Sequence, residues 1–123
     1  MENKNKKWFE LLFIREEAKN LFLRLHKEIS NNWNKDYFFK DQILRASLSI
    51  SNNIAEWYER KWNKEFIRFL NIANWSVWET RNMLIIWKEL NIFNENQFNR
   101  NLESVNKISG WIYKLIKNKT EKS

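Results

Sequence analysis

The chain is predicted to be all-α: an antiparallel, up-down-up-down four-helix bundle forming a single domain over 1–123. Three observations predict this. The 123 residues contain no proline and one glycine, Gly110, which suits long helices and not a many-turned β fold. Apolar residues recur at three- and four-residue steps in four separate stretches, the pattern of helices with one greasy stripe each. The polar breaks between those stretches are too short for a crossover running the length of a bundle. A chain of this length supports one core.

The first helix is predicted over about 6–30, after a polar, basic start that frays. Leu11, Ile14, Ala18, Leu21, Leu25 and Ile29 form its stripe, widened by Phe13 and Phe22. Residues 31–36, NNWNKD, bond readily to their own backbone and read as a loop. The second helix follows over 37–56. Phe39, Ile43, Ala46, Ile50 and Ile54 recur there at steps of four, three, four and four, with Lys40, Arg45, Ser47, Ser49 and Asn52 off the stripe. A turn over 57–63 leads to the third helix, 64–90, which Asn63 can cap. Phe66, Phe69, Leu70, Ala73 and Val77 draw its stripe, continued by Leu84 and Ile85. After a break at 91–94, Asn94 and Gln97 stand at capping-box spacing. The last helix, 95–117, carries Phe98, Leu102, Val105, Ile108, Ile112 and Leu115 and runs into a basic tail.

Composition narrows the function classes. There is no cysteine, so no disulfide or thiolate metal site is available. His26 is the sole histidine and has no second ligand at metal spacing, so a solvated helix histidine is expected. No phosphate loop, catalytic triad or Glu-x-x-His pair exists, and Glu16 and Glu17 read as solvated. A non-enzymatic protein without metal or cofactor is the expectation. No apolar run approaches the roughly 20 residues of a membrane span, and charges interrupt any signal-peptide core. A cytoplasmic location is the default expectation. The stretch starting KKWFELLFI is the one candidate for a membrane-surface helix, and burial in a bundle explains it more simply. Lys plus Arg outnumber Asp plus Glu by 22 to 15, a net charge of +7 that favours an acidic partner, most often nucleic acid.

Residues 42–79 carry a longer signal. Gln42, Arg45-Ala46, Ser49-Ile50, Asn53-Ile54-Ala55-Glu56, Arg60, Phe66, Arg68-Phe69-Leu70, Ile72-Ala73, Ser76 and Glu79 stand at unbroken spacing. In these residues the chain resembles the family of small four-helix-bundle proteins encoded in intervening sequences of bacterial large-subunit ribosomal RNA genes. Elsewhere it fits that family in length and pattern only. The accessory variability determinant of retroelements is similar to the same family. The resemblance implies a cyclic homo-oligomer, typically a pentamer, presenting basic surface to RNA or DNA. The retroelement relative implies another role, an accessory subunit of a reverse transcriptase.

The tryptophans depart from the family pattern. Eight of them accompany the one glycine, where average usage predicts about nine glycines. Trp57 stands where the family has Asn-Ile-Ala-Glu-Gly, and Trp75 where it has Ala-x-Gly-Ser. Trp57 also falls where the second helix is predicted to stop, a place that favours glycine. Both are therefore expected to be UGA codons for glycine read with the wrong code. Trp62, Trp78 and Trp87 are further cases, and Trp8, Trp33 and Trp111 weaker ones. The alternative is a genuinely tryptophan-rich protein. At Trp75 a real tryptophan must force two helices apart or turn outward.

Arginine and amide side chains suit phosphates and base edges, so Gln42, Arg45, Arg60, Lys61, Lys64 and Arg68 are the nucleic-acid candidates. Local pairing competes: Arg60 with Glu56, and Arg68 with Glu65. Asn53 and Glu56 are expected to cap or buttress the turn at Trp57. Tyr58 and Trp62 have two readings of equal weight: exposed rings that stack on unpaired bases, or rings packed at the turn. Two function classes compete: a nucleic-acid-binding bundle, RNA before DNA, and a protein-binding adaptor whose apolar surplus faces a partner.

Overall fold

The computed structural model describes residues 2–31, 37–60 and 66–121, with side chains over 10–31, 37–60 and 67–117. Helix α1 spans Glu2–Ser30, α2 Tyr37–Glu59, α3 Phe66–Glu89 and α4 Glu95–Glu121. Among the described residues there is no strand.

Each helix packs on its neighbour in sequence, and α1 closes the ring against α4, with no diagonal pairing among the described residues. Cross-helix contacts fix the directions. Arg15 of α1 reaches Glu59 at the end of α2. Arg60 lies over Phe69, while further along the same pair Ser49 meets Ser76. Arg81 meets Asn106 and Lys88 lies over Phe98. Glu17 meets Ser104 and Glu28 meets Arg100. In α2·α3, α3·α4 and α1·α4 one number rises as the other falls, so these pairs are antiparallel, and around a ring of four this makes α1 and α2 antiparallel as well. The predicted bundle is the one observed.

The core follows the stripes. Ile14, Ala18, Leu21, Leu25, Ile43, Ile50, Ile54, Leu70, Ala73, Val77, Leu84, Val105, Ile108 and Ile112 are all buried. Burying each of the isoleucine, leucine and valine side chains stabilises by roughly 1.5–3 kcal/mol before entropy is counted. Three apolar residues were expected in the stripes and stand outside them. Phe13 and Ile85 each sit one residue from a core position, Ile14 and Leu84. One residue is about 100° of helix, so both turn to solvent. Phe39, in the first turn of α2, is exposed and pairs edge-on with Phe38.

Polar residues fill the seams in place of these. Ser47, predicted off the stripe, is fully buried; its hydroxyl donates to the Ile43 carbonyl at 2.8 Å and so carries no unmet donor. Thr80 likewise donates to the Ser76 carbonyl. Between α2 and α3 the Ser76 hydroxyl donates to that of Ser49 at 2.8 Å. These small side chains, with Ala46 and Ala73, let the two helices lie close. The seam between α1 and α4 is polar too. Glu17 was read as solvated, but its carboxylate accepts from the Ser104 hydroxyl at 2.9 Å. Glu16 does face solvent, paired with Lys19.

Helix ends differ from the expected bounds by a turn or less. Helix α2 runs to Glu59 instead of stopping at 56, because Trp57 continues the stripe of Ile43, Ile50 and Ile54 into the core. Trp57 is thus not a turn residue. Helix α3 ends in a two-bond cap: the Ile92 N–H donates to the Trp87 carbonyl and the Asn91 N–H to that of Lys88, both at 2.9 Å. Asn91 takes the left-handed conformation this requires, with φ 60°. Helix α4 opens with the predicted capping box. The Gln97 N–H donates to Asn94 Oδ1 at 2.8 Å, and the Asn94 N–H donates to Gln97 Oε1 at 3.0 Å. The expected cap at Asn63 lies outside the described residues.

Candidate nucleic-acid interface

The antiparallel order puts the start of α1, the α2–α3 connection and the end of α4 at one end of the bundle. Arg60 and Arg68 are at that end. Gln42 and Arg45 are not: Arg45 lies about 22 Å from Arg60 along α2, at 1.5 Å per residue. The candidates therefore do not form one patch. Lys61 and Lys64 lie outside the described residues, as does the Glu65 expected to pair with Arg68.

Arg60 is committed structurally. It pairs with Glu56 at 3.1 Å, as expected one turn away, and its guanidinium lies 5.7 Å from the centre of the Phe69 ring. It ties the end of α2 to the start of α3, and its charge is partly answered. Arg68 and Arg45 are exposed, and Gln42 is half-buried. Asn53 does not buttress the turn. Its side-chain N–H₂ donates back one turn to the Ser49 carbonyl at 2.8 Å and to the Ser49 hydroxyl at 3.2 Å. Of the two readings for Tyr58 the packed one holds: it is buried under the Arg15 guanidinium, 4.9 Å from its ring centre. It cannot stack on a base. Trp62 lies outside the described residues.

Other residues at the same end went unnamed in the sequence. Lys4, Lys6 and Lys7 are in the first turns of α1, and Lys114 and Lys117 in the last turns of α4. Exposed Tyr113 adds an aromatic ring beside Lys114. The signal was present: once four antiparallel helices are predicted, both basic termini must meet the hairpin connection.

Helix α3 presents a second feature. Its core residues Leu70, Ala73, Val77, Thr80 and Leu84 occupy one side. Trp75 and Ile86 lie on the opposite side, Trp78 and Ile85 on the flank between, and all four are exposed. Trp75 thus turns outward, one of the two outcomes expected for a tryptophan there, and is a mid-helix residue instead of a turn residue. Among the described residues no three His, Asp or Glu side chains stand close enough together to hold a metal. No helix there is long and apolar enough to cross a membrane. His26 is exposed, with its ring 6.0 Å from that of Phe22.

The family profile of the 23S rRNA-intervening sequence proteins matches residues 10–114. The chain belongs to that family. A crystal structure of an S23 ribosomal protein family member from Bacteroides thetaiotaomicron, described as of unknown function, shares the fold. Its TM-score is 0.77 at 24% identity, covering 85% of this chain and 98% of its own. No curated protein matches the chain. For this intervening-sequence protein, the family match spans the whole region 42–79 that carried the resemblance and extends it across all four helices.

Proposed function

We propose that this intervening-sequence protein is a non-enzymatic RNA-binding homo-oligomer, with the basic end of the bundle as its RNA surface. The observation that carries this is the meeting of Arg68, Lys114 and Lys117 at the end of the bundle where α1 also begins. Cations gathered on one end deepen the local potential more than the same charges spread over the surface. Repetition around a ring, the pentamer that the resemblance implies, deepens it further. Tyr113 supplies a stacking ring for an unpaired base. RNA is favoured over DNA by the ribosomal RNA setting in the family's name.

Self-association is assigned to the outer face of α3. Trp75, Trp78, Ile85 and Ile86 make an apolar strip, and charge-poor strips containing tryptophan are typical of the centres of protein interfaces. The same strip favours the second function class, an adaptor docking on a foreign protein such as a reverse transcriptase. Sedimentation separates the two: a purified protein that stays monomeric at micromolar concentration leaves the strip for a foreign partner.

Filter binding with structured and single-stranded RNA at two salt concentrations tests the RNA assignment. Affinity is expected to fall steeply as salt rises, through counterion release. Absence of binding even at low salt overturns it.

A further inference from the structure

At the opposite end of the bundle the α1·α4 seam opens as a cleft of about 390 Å³, lined by Leu23, Arg24, Lys27, Glu28, Asn31, Gln97 and Arg100. We propose that this cleft is an anion site that takes a phosphate group. The site is separate from the basic end and does not rest on RNA binding there.

The lining holds three cations and one carboxylate. That carboxylate is already engaged: Glu28 Oε1 accepts from Arg100 Nη2 at 2.7 Å, and Oε2 from Asn101 Nδ2 at 2.8 Å. The Glu28 side chain is only 8% exposed, so it is turned into the seam. Arg24 has fewer partners than its donors require. Its Nε donates to Asn101 Oδ1 at 2.7 Å, but its Nη2 is buried without an acceptor. A guanidinium presents five N–H donors in a fixed fork, and a buried unmet donor costs about 1–3 kcal/mol. Burial first, and then the like charge of Arg100, pull the Arg24 guanidinium below its ordinary pKa, against the opposing pull of Glu28, Glu17 and Glu103. Two arginines held near each other in a half-dry seam are a favourable place for an anion.

The other lining groups extend the donor set. Lys27 is exposed in the last turn of α1. Gln97 uses its carbonyl oxygen in the capping box, which leaves its N–H₂ to donate. A fork, an ammonium and an amide around one opening suit a tetrahedral anion with several acceptor oxygens better than a planar carboxylate. The phosphate could belong to a free phosphate ester or to a polynucleotide backbone, and the two sources are separable.

The test is a titration of the full chain with inorganic phosphate, then with a short RNA, at constant ionic strength set by chloride. The NMR signals followed are the Arg24 Nε–Hε and the backbone amides of Asn31 and Gln97. Phosphate is expected to shift them saturably. Lys27→Gln, at an exposed position, is expected to weaken that response about tenfold, while Lys19→Gln on the same helix leaves it unchanged. RNA moving the same signals identifies the source as a backbone phosphate. RNA moving only signals near Lys114 and Lys117, with phosphate still moving those of the cleft, identifies a free phosphate ester. Cleft signals that stay still with both probes overturn the proposal, as does a response that chloride reproduces.

Discussion

Asn91 is the one non-glycine residue with positive φ among those described, and it sits where a helix cap most often has glycine. Asparagine tolerates this conformation better than residues with a longer or branched side chain. Asn91→Ala is expected to cost about 1 kcal/mol in urea unfolding, and Asn91→Gly to be neutral or slightly stabilising. A neutral alanine variant would mean that the cap does not form. The two tryptophans that depart from the family pattern have opposite surroundings, so they respond differently to glycine. Trp57 is 3% exposed and Trp75 is 58% exposed. Trp57→Gly empties a core site and is expected to cost at least ~3 kcal/mol, whereas Trp75→Gly costs only the helix propensity, about 1 kcal/mol. Whether the native chain carries glycine there is read from the intact mass of the natively expressed protein. Each tryptophan that is really glycine lowers the mass by one fixed increment.

At the scale of elements, the α2–α3 pair depends on small side chains. Ala73 is fully buried beside the Ser49–Ser76 hydroxyl pair. Ala73→Leu is expected to overpack this seam and lower stability by roughly 1–3 kcal/mol; an unchanged urea midpoint would show that the helices are not in close contact there. The four helices themselves were legible, because periodicity and the absence of proline act locally and nothing in the tertiary structure opposes them. Their polar seams were less legible. Ser47 and Glu17 look solvent-facing in sequence, yet each hides its polarity in a hydrogen bond that periodicity does not reveal. The end of α2 was misplaced for a related reason. Trp57 departs from the family pattern, yet its position three residues after Ile54 continues the stripe. The outer strip of α3 was not identified either, because a helix apolar on two sides gives a weak amphipathic signal. If the proposed self-association uses this strip, Ile85→Glu is expected to give smaller species than the unaltered chain on sedimentation while leaving helicity intact.

For the whole molecule, the candidate surface was half legible. Sequence reading named the hairpin residues but could not gather Lys6, Lys7, Lys114 and Lys117 with them, since chain distance hides what an antiparallel fold brings together. Lys114→Gln with Lys117→Gln is therefore expected to weaken RNA binding and flatten its salt dependence by about 0.7 log units per lost contact on a single strand. Arg45→Gln, in the other half of α2, is expected to do little. Equal losses from both variants would argue for a diffuse surface instead of an end.

The ring of helices also sets the order of events in folding. Three of the four packed pairs join neighbours in sequence, so their ends meet after short loop closures; the α1·α4 seam joins distant parts of the chain. That seam is held by Arg24, Glu28, Arg100 and Asn101, groups that gain little until both helices are in register. It is expected to form after the rate-limiting barrier. Asn101→Ala should then speed unfolding and leave the refolding rate almost unchanged in stopped-flow chevrons, with slower refolding marking an early closure instead.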